Sequence, residues 1–209
     1  MKKQRSILLF GGGKETAYNL LTHGNEIKLL LYIKYGQKAY IKEVALLKKL
    51  AAMHKIPYKI IIMPVSVPTS IQTGKPNKKG SNVPYRNPLF ICLAANLCYE
   101  YKCNNVIVGN TKSASSEYAN DGGSSFLRDF KEVLSHLGDI TFNSNSSKKT
   151  PKQIVDYVGT STLSDKVWFC ENDLKKHCGK CNKCHLFFEE RHSIYKNSIG
   201  YRNLLKNLF

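Results

Sequence analysis

"LLFGGGKETAYNL", residues 8 to 20, joins a short apolar run to a segment of helical composition through three consecutive glycines. Ser6 to Phe10 reads as a buried strand, and Lys14 onward as a helix with apolar residues at Ala17, Leu20 and Leu21. A strand, a glycine turn and a helix start present free backbone N–H groups to an anion. Three glycines also let the chain approach a phosphate closely and adopt positive φ without a Cβ penalty. The stretch is not a Walker A loop, because Leu8 stands where that loop needs its first glycine and Glu15 where it needs Ser or Thr. Thr16 offers a hydroxyl, whereas Glu15 repels a bare phosphate unless Mg²⁺ lies between them. An ordinary strand-to-helix turn of an α/β protein is the other reading.

Outward from this turn the pattern alternates. "IKLLLYI" from Ile27 predicts a second strand, "YIKEVALLKKLAAMH" from Tyr40 a helix with its stripe at Ile41, Val44, Ala45, Leu47 and Leu50, and "YKIIIM" a third strand. Residues 64–85, rich in Pro, Ser, Gly and Lys, predict a long mobile loop. "RNPLFICLAANLCYEY" predicts a helix capped by Asn87 with Pro88 in its first turn. "NVIVG" is a fourth strand, and "NTKSASSEYANDGGSS" lies beyond its carboxyl end, where functional loops sit. "FLRDFKEVLSHL" predicts a helix, "DITF" a fifth strand, and "TPKQIVDYVG" a short helix entered through Pro151. Such alternation predicts a three-layer, Rossmann-like α/β domain with a mostly parallel sheet over residues 1–160.

The chain of 209 residues is 42% hydrophobic, enough for a real core. It contains no run of eighteen apolar residues, so no membrane span is expected, and its basic, briefly apolar start reads as the first strand instead of a signal peptide. A cytoplasmic protein is expected. Lys and Arg number 32 against 15 Asp and Glu, a formal charge of +17 that favours polyanionic partners, nucleotides or nucleic acid among them. Direct nucleic-acid binding is left open by charge alone.

Seven cysteines divide into two groups. Cys92, Cys98 and Cys103 belong to an apolar helix and its end and are expected to be small buried hydrophobes. Cys170, Cys178, Cys181 and Cys184, in "CENDLKKHCGKCNKC", have the spacing to wrap one tetrahedral metal ion, with Gly179 easing the turn. Zn²⁺ is the expected metal; a 4Fe–4S cluster is the alternative, since tight two-residue cysteine spacing also occurs in ferredoxins. His177 and His185 flank the site and are expected to be non-ligands. Residues 161–209 then form a small C-terminal zinc-binding helical module.

The glycine loop, "YGQ" at Tyr35 to Gln37, "VPYRN" at Val83 to Asn87, "KQIV" at Lys152 to Val155 and "WFCENDLKKHCGKCNKC" at Trp168 to Cys184 occur in an order and spacing that resembles the 7-cyano-7-deazaguanine synthases. The resemblance covers nearly the whole chain and implies an adenine nucleotide alpha hydrolase-like fold of the N-type ATP pyrophosphatases. It implies ATP-dependent conversion of 7-carboxy-7-deazaguanine and ammonia to 7-cyano-7-deazaguanine through an adenylate and an amide, with ATP, Mg²⁺ and one structural Zn²⁺, in a homodimer. It makes Phe10, Gly11, Gly12, Gly13, Lys14, Glu15 and Thr16 the ATP loop. Glu15, Thr16, Arg86 and Lys152 are the implied catalytic residues, and Tyr35, Gln37, Tyr118 and Asp121 the implied substrate contacts.

The chain departs from the family pattern in several places. Gly11, Glu15 and Thr16 stand for a serine, an aspartate and a serine; Ala39 stands for a histidine; Lys42 takes the place of an acidic residue, with Glu43 one position late. "YANDGG" replaces Tyr-Pro-Asp-Cys-Arg with Asp121 as the matching aspartate, and Phe169 replaces a serine. Two further functions therefore stand beside the synthase: an ATP-dependent relative that forms an amide or acts on another carboxylate or RNA, and a non-catalytic nucleotide- or nucleic-acid-binding descendant.

Overall fold

The computed structural model describes residues 4–64, 83, 85–110, 124–172, 174–181, 183–185, 187 and 198–208. Its strands are β1 (Ser6–Leu9), β2 (Ile27–Lys34), β3 (Tyr58–Ile62), β4 (Asn105–Ile107) and β5 (Thr141–Asn143). Its helices are α1 (Lys14–His23), α2 (Tyr40–His54), α3 (Arg86–Glu100), α4 (Ser124–Leu137), α5 (Pro151–Gly159) and α6 (Ile199–Leu208), with a 3₁₀ turn at Asn145–Lys148. All strand pairs are parallel, in the order β3-β2-β1-β4-β5. The order reverses between β1 and β4, and an open sheet wound this way leaves a crevice at the carboxyl ends of those two strands.

Alternate residues of each strand feed different cores. Leu8, Leu30, Tyr32 and Ile107 join Leu20, Leu47, Ile154 and Val158 beneath α1, α2 and α5. Ile7, Leu29, Leu31 and Val106 join Ile91, Leu97, Cys98 and Leu134 beneath α3 and α4. The predicted three-layer parallel α/β domain is therefore present. Leu163, Val167, Phe187, Tyr201 and Leu204 share the first of these cores, so these residues beyond position 160 pack onto the same sheet face. α6 lies close to α5: a Cβ on Gly200 would fall 2.5 Å from Cα of Asp156.

Register is pinned by a polar ladder at the opposite end of the sheet from the crevice. Ser6, Asn105 and Thr141 are neighbours in register. Asn105 Nδ2 donates to Ser6 Oγ at 2.9 Å and Thr141 Oγ1 to Asn105 Oδ1 at 3.2 Å. Ser6 and Asn105 are buried, so any slip would strand their polar atoms away from water.

Three local expectations are corrected. In α2 the buried face is Leu47, Leu50 and Ala51, with Val44 and Leu46 partly buried against the core, while Ile41, 58% exposed, and Ala45 of the expected stripe face outward. α3 begins two residues earlier than its sequence signal: Tyr85, in the left-handed region at φ 57°, is the N-cap, and Asn87 falls inside the first turn. Cys98 and Cys103 are buried as expected, but Cys92 is exposed on the outer side of α3. Burial pushes the Cys98 thiol up to about 12. The stretch 65–82 and the loop carrying Tyr118 and Asp121 lie outside the described residues. Among those residues no helix is long and apolar enough to cross a membrane.

Candidate active site and metal centre

The glycine loop emerges from β1 in the middle of the sheet. Gly12 adopts φ 71°, which a β-carbon would strain, and Gly13 caps α1 without a side chain, so the cap residue itself makes no side-chain hydrogen bond to the helix start. The Thr16 hydroxyl folds back to accept the Gly11 N–H at 3.2 Å and is nearly fully buried, which closes the loop on itself. Glu15 pairs with the Lys14 ammonium. Its β-carbon lies 2.9 Å from the point a Cβ would occupy on Gly109, just past β4, so the two strands can close around Glu15 only because that position is glycine. Phe10, by contrast, is a core residue: its ring meets Tyr32 edge-on and its N–H donates to Leu31 O at 2.8 Å.

A Cβ placed on Gly11 meets nothing within 4 Å, and its φ is not in the left-handed region. Gly11→Ser therefore fits without strain and adds a hydroxyl beside the loop. We expect it to tighten ATP binding about tenfold, the value of one hydrogen bond to a charged group. Titration of ATP against both proteins measures this.

The β2–α2 turn supplies the second wall. Gln37 is 5% exposed, and its Nε2 donates to Tyr32 Oη at 2.7 Å, Ile33 O at 3.1 Å and Glu43 Oε2 at 3.3 Å, while its Oε1 accepts the Tyr35 N–H at 2.7 Å. Its side chain is thus committed to shaping the turn. Tyr35 faces Arg86 of α3, whose Nη1 donates to Tyr35 Oη at 3.3 Å, and it packs on Phe90. Burial raises the Tyr35 phenol, with the Arg86 charge acting against that rise. Lys152 lies in the first turn of α5 and pairs with Asp156 at 2.7 Å, half exposed, so in this structure its charge is held by its own helix.

Residues that no motif singled out complete the crevice. Glu43 reaches it from α2, its Cγ 3.8 Å from the position of a Cβ on Gly12. Burial pushes its carboxyl up, and hydrogen bonds from Tyr32 and Gln37 with the Arg86 charge oppose that rise. Lys183 keeps contact with solvent, but its charge neighbours are Arg86, Glu171, Glu15 and Lys14, and the surrounding protein followed by Arg86 lowers its pKa. Glu171 is 4% exposed. The signal for Glu43 was present as an acidic residue one position out of register. For Glu171 and Lys183 the only signal was their place among the cysteines.

The metal centre abuts this crevice. Cys170, Cys178, Cys181 and Cys184 place four sulfurs within 4.8 Å of one another. The Cys178–Cys184 and Cys170–Cys181 sulfur separations are both 3.9 Å. Four thiolates about 2.3 Å from one ion have sulfurs about 3.8 Å apart, so the set fits a single tetrahedral ion. A cubane cluster would need each thiolate on a different iron and a wider cage. Backbone N–H groups of Lys180 and Cys181 point at Cys178 Sγ at 3.4 and 3.2 Å, those of Cys178 and Asn172 at Cys170 Sγ, and that of Glu171 at Cys181 Sγ. These donors favour thiolates, and Gly179 at φ 68° makes the turn that aims two of them. His177 is no ligand: its Nε2 accepts the Phe169 N–H at 3.3 Å, and its ring lies between Trp168 and Phe169. Phe169 also packs on Phe187, joining the metal centre to the sheet core.

The two sites are physically joined. Trp168 N donates to Gly12 O at 2.7 Å, and the Lys42 ammonium lies 5.6 Å from the Trp168 ring centroid. A doubly wound parallel domain with a glycine-lined loop at its switch point and a four-cysteine centre clamped onto that loop defines a PP-loop ATPase fold. The family described as "Queuosine biosynthesis protein QueC" matches residues 5–196, and the chain belongs to it.

Two relatives named 7-cyano-7-deazaguanine synthase illustrate the distance within the family. The protein of Pelotomaculum thermopropionicum is 26% identical over 206 residues, covering 86% of this chain and 93% of its own. That of Desulforamulus reducens is 27% identical over 218 residues, covering 92% and 95%. Among solved structures, the U34-tRNA thiolase NcsA from Methanococcus maripaludis, with its 4Fe–4S cluster, superposes with a TM-score of 0.57 at 12% identity over all of this chain and 73% of its own. That likeness concerns the fold alone. Family membership supports an ATP-dependent, ligase-like enzyme with a metal-binding centre.

Proposed function

We propose that this protein converts 7-carboxy-7-deazaguanine and ammonia to 7-cyano-7-deazaguanine at the expense of ATP. The observation that carries the reading is the Trp168 N–H bonded to Gly12 O, because it joins the two most distinctive elements of the family, the phosphate loop and the cysteine centre, into one site.

A carboxylate does not accept ammonia directly, since its oxygen is a poor leaving group. Its attack on the α-phosphorus of ATP forms a mixed anhydride and expels pyrophosphate. Ammonia then displaces AMP to give the amide, and a second activation of the amide oxygen permits loss of AMP and a proton to give the nitrile. The protein's task is to hold polyphosphate and carboxylate in line and to stabilise charge. In this reading the amides of Gly12, Gly13 and the first turn of α1 cradle phosphate oxygens, Arg86 clamps them from the rim, and Lys183 adds a third cation beside Lys14. Tyr35 orders Arg86, and Gln37 shapes the turn behind it. Lys152 must leave Asp156 to reach phosphate. Tyr118 and Asp121 remain the proposed contacts for the deazaguanine, with Asp121 accepting from its N–H edge.

Glu15 is the proposed partner of Mg²⁺, which when bound neutralises charge between carboxylate and polyphosphate. The cradle left by Gly13 and Gly109 around the Glu15 side chain suits that role. The ion in the cysteine centre is proposed to be zinc, held by Cys170, Cys178, Cys181 and Cys184 in a purely structural role.

The test is a product assay with ATP, Mg²⁺, ammonia and 7-carboxy-7-deazaguanine. Nitrile with release of AMP and pyrophosphate is expected. Amide alone, or ATP turnover only with another carboxylic acid, points to an altered relative. Failure to form an adenylate across a panel of carboxylic acids overturns the enzymatic reading.

A further inference from the structure

The fold needs a hydrogen-bond acceptor at Glu43, because the buried Tyr32 O–H is given to it, but it does not need a charge there. Tyr32 Oη is already satisfied as an acceptor by Gln37 Nε2, and Gln37 has Ile33 O as a further acceptor. Enclosing a carboxylate in this position carries a desolvation penalty that pushes its pKa up. A neutral amide in its place would still accept the Tyr32 O–H without that penalty.

The hydrogen bonds around it have a direction. Gln37 donates to Tyr32 Oη, so the Tyr32 proton goes to Glu43 Oε2, at 2.6 Å. Gln37 Nε2 donates to the same Oε2 at 3.3 Å. Both partners of Oε2 are donors, which leaves Oε1 as the oxygen on which a proton can be placed. Oε1 has no hydrogen-bond partner among the described residues. Glu15, by comparison, is already paired with Lys14, whereas Glu43 is in no ion pair among the described residues.

Glu43 also borders the phosphate loop: its Cγ lies 3.8 Å from where a Cβ on Gly12 would stand, so in the reading above it is beside the loop that holds the adenylate's phosphate. We propose that Glu43 is the general base of the amination step, fixed by Tyr32 and Gln37 so that Oε1 takes the proton from the attacking nitrogen. As the nitrogen lone pair forms the C–N bond at the mixed-anhydride carbon, one N–H proton passes to Oε1. The C–O bond to AMP then breaks, and AMP leaves with that electron pair. The inference rests on the proposed ATP-dependent amidation and deepens it.

The charged and titratable groups facing Glu43 are Tyr32 of β2, Tyr35 of the turn and Arg86 of α3. Burial outweighs the Arg86 charge, so the carboxyl is held above the usual carboxylate range. The base form is lost as pH falls through this raised value, and amination should therefore fall off on the acid side at a higher pH than an ordinary carboxylate would give.

The experiment uses the full-length, metal-loaded protein and its Glu43→Gln variant, whose amide oxygen can still accept from Tyr32. Carboxylate-dependent ATP–pyrophosphate exchange reports adenylation, and rapid-quench amide formation over a range of pH, at fixed concentrations of free ammonia, reports amination. The expected result is exchange within about threefold of wild type, with amination slowed about 100-fold and its acid limb abolished. Amination at the wild-type rate with the same acid limb overturns the proposal. So does a parallel loss of exchange, amination and thermal stability, which marks Glu43 as structural. If wild type shows no exchange with 7-carboxy-7-deazaguanine, the substrate assignment fails by itself, and the comparison moves to whichever carboxylic acid in the panel supports exchange. If none does, both readings fall.

Discussion

Replacing Glu15 by glutamine is expected to slow adenylation about 100-fold or more, the scale of losing one important electrostatic contact in a transition state. Glu15 lies in the first turn of α1, where a carboxylate is favoured by the helix dipole but repels polyphosphate if nothing lies between them. Lys14 neutralises part of that charge, and the absence of β-carbons at Gly13 and Gly109 leaves the space that the Glu15 side chain occupies. A dipole role alone predicts a different outcome: a loss of about 0.3–1 kcal/mol of stability with adenylation intact. The proposed metal role predicts near-normal folding, a lower exchange rate and a weaker response to added Mg²⁺. Exchange at nearly the wild-type rate would remove Glu15 from the mechanism.

Cys181→Ser is expected to lower stability by more than about 4 kcal/mol, in the class of metal-site losses, which corresponds to a drop of about 8–16 °C in Tm for a chain of this size. Cys181 is 1% exposed, receives the Glu171 N–H and stands 3.9 Å from Cys170 Sγ. A structural metal contributes folding energy directly, and the module it holds carries Trp168, whose N–H fixes the Gly12 carbonyl. Loss of the metal should therefore loosen the phosphate loop only after the module itself has melted. Elemental analysis of the wild type is expected to give close to one zinc per chain in a colourless protein. A brown protein with iron and acid-labile sulfide would replace zinc with a cluster.

Local sequence carried much of the site. Gly12 at positive φ, Gly13 as a side-chain-free cap and the four cysteines are legible because each depends on neighbours a few residues away. The capping box of α5 belongs to the same group: Thr150 Oγ1 accepts the Gln153 N–H while Gln153 Oε1 accepts the Thr150 N–H. Gln37 was legible only as a member of a motif, whereas Phe10 was read both as the end of the buried first strand and as part of the ATP loop. The structure gives them work inside the protein, one organising the β2–α2 turn and the other filling the core against Tyr32. Lys152 was legible as a cation in a first helical turn, but its Asp156 partner one turn later holds that charge in the structure. The exposed Cys92 was misjudged because composition does not say which side of α3 faces the sheet.

The sequence by itself determined the order of strands and helices, the glycine turn after β1 and a four-cysteine metal centre, while the sulfur separations in the structure are what fit it to a single ion. Those features rest on hydrophobic period, backbone freedom and ligand spacing, all of which act over short stretches of chain. Tertiary structure alone decided that the cysteine centre is bonded to the phosphate loop, since Trp168 and Gly12 are far apart in sequence and meet only through the folded core. It alone brought Glu43, Tyr32, Tyr35 and Arg86 from four elements to one crevice and left a single oxygen of Glu43 open. Such convergence depends on how parallel strands stack and on which side chains burial commits to internal hydrogen bonds. Neither is written in the local pattern of residues.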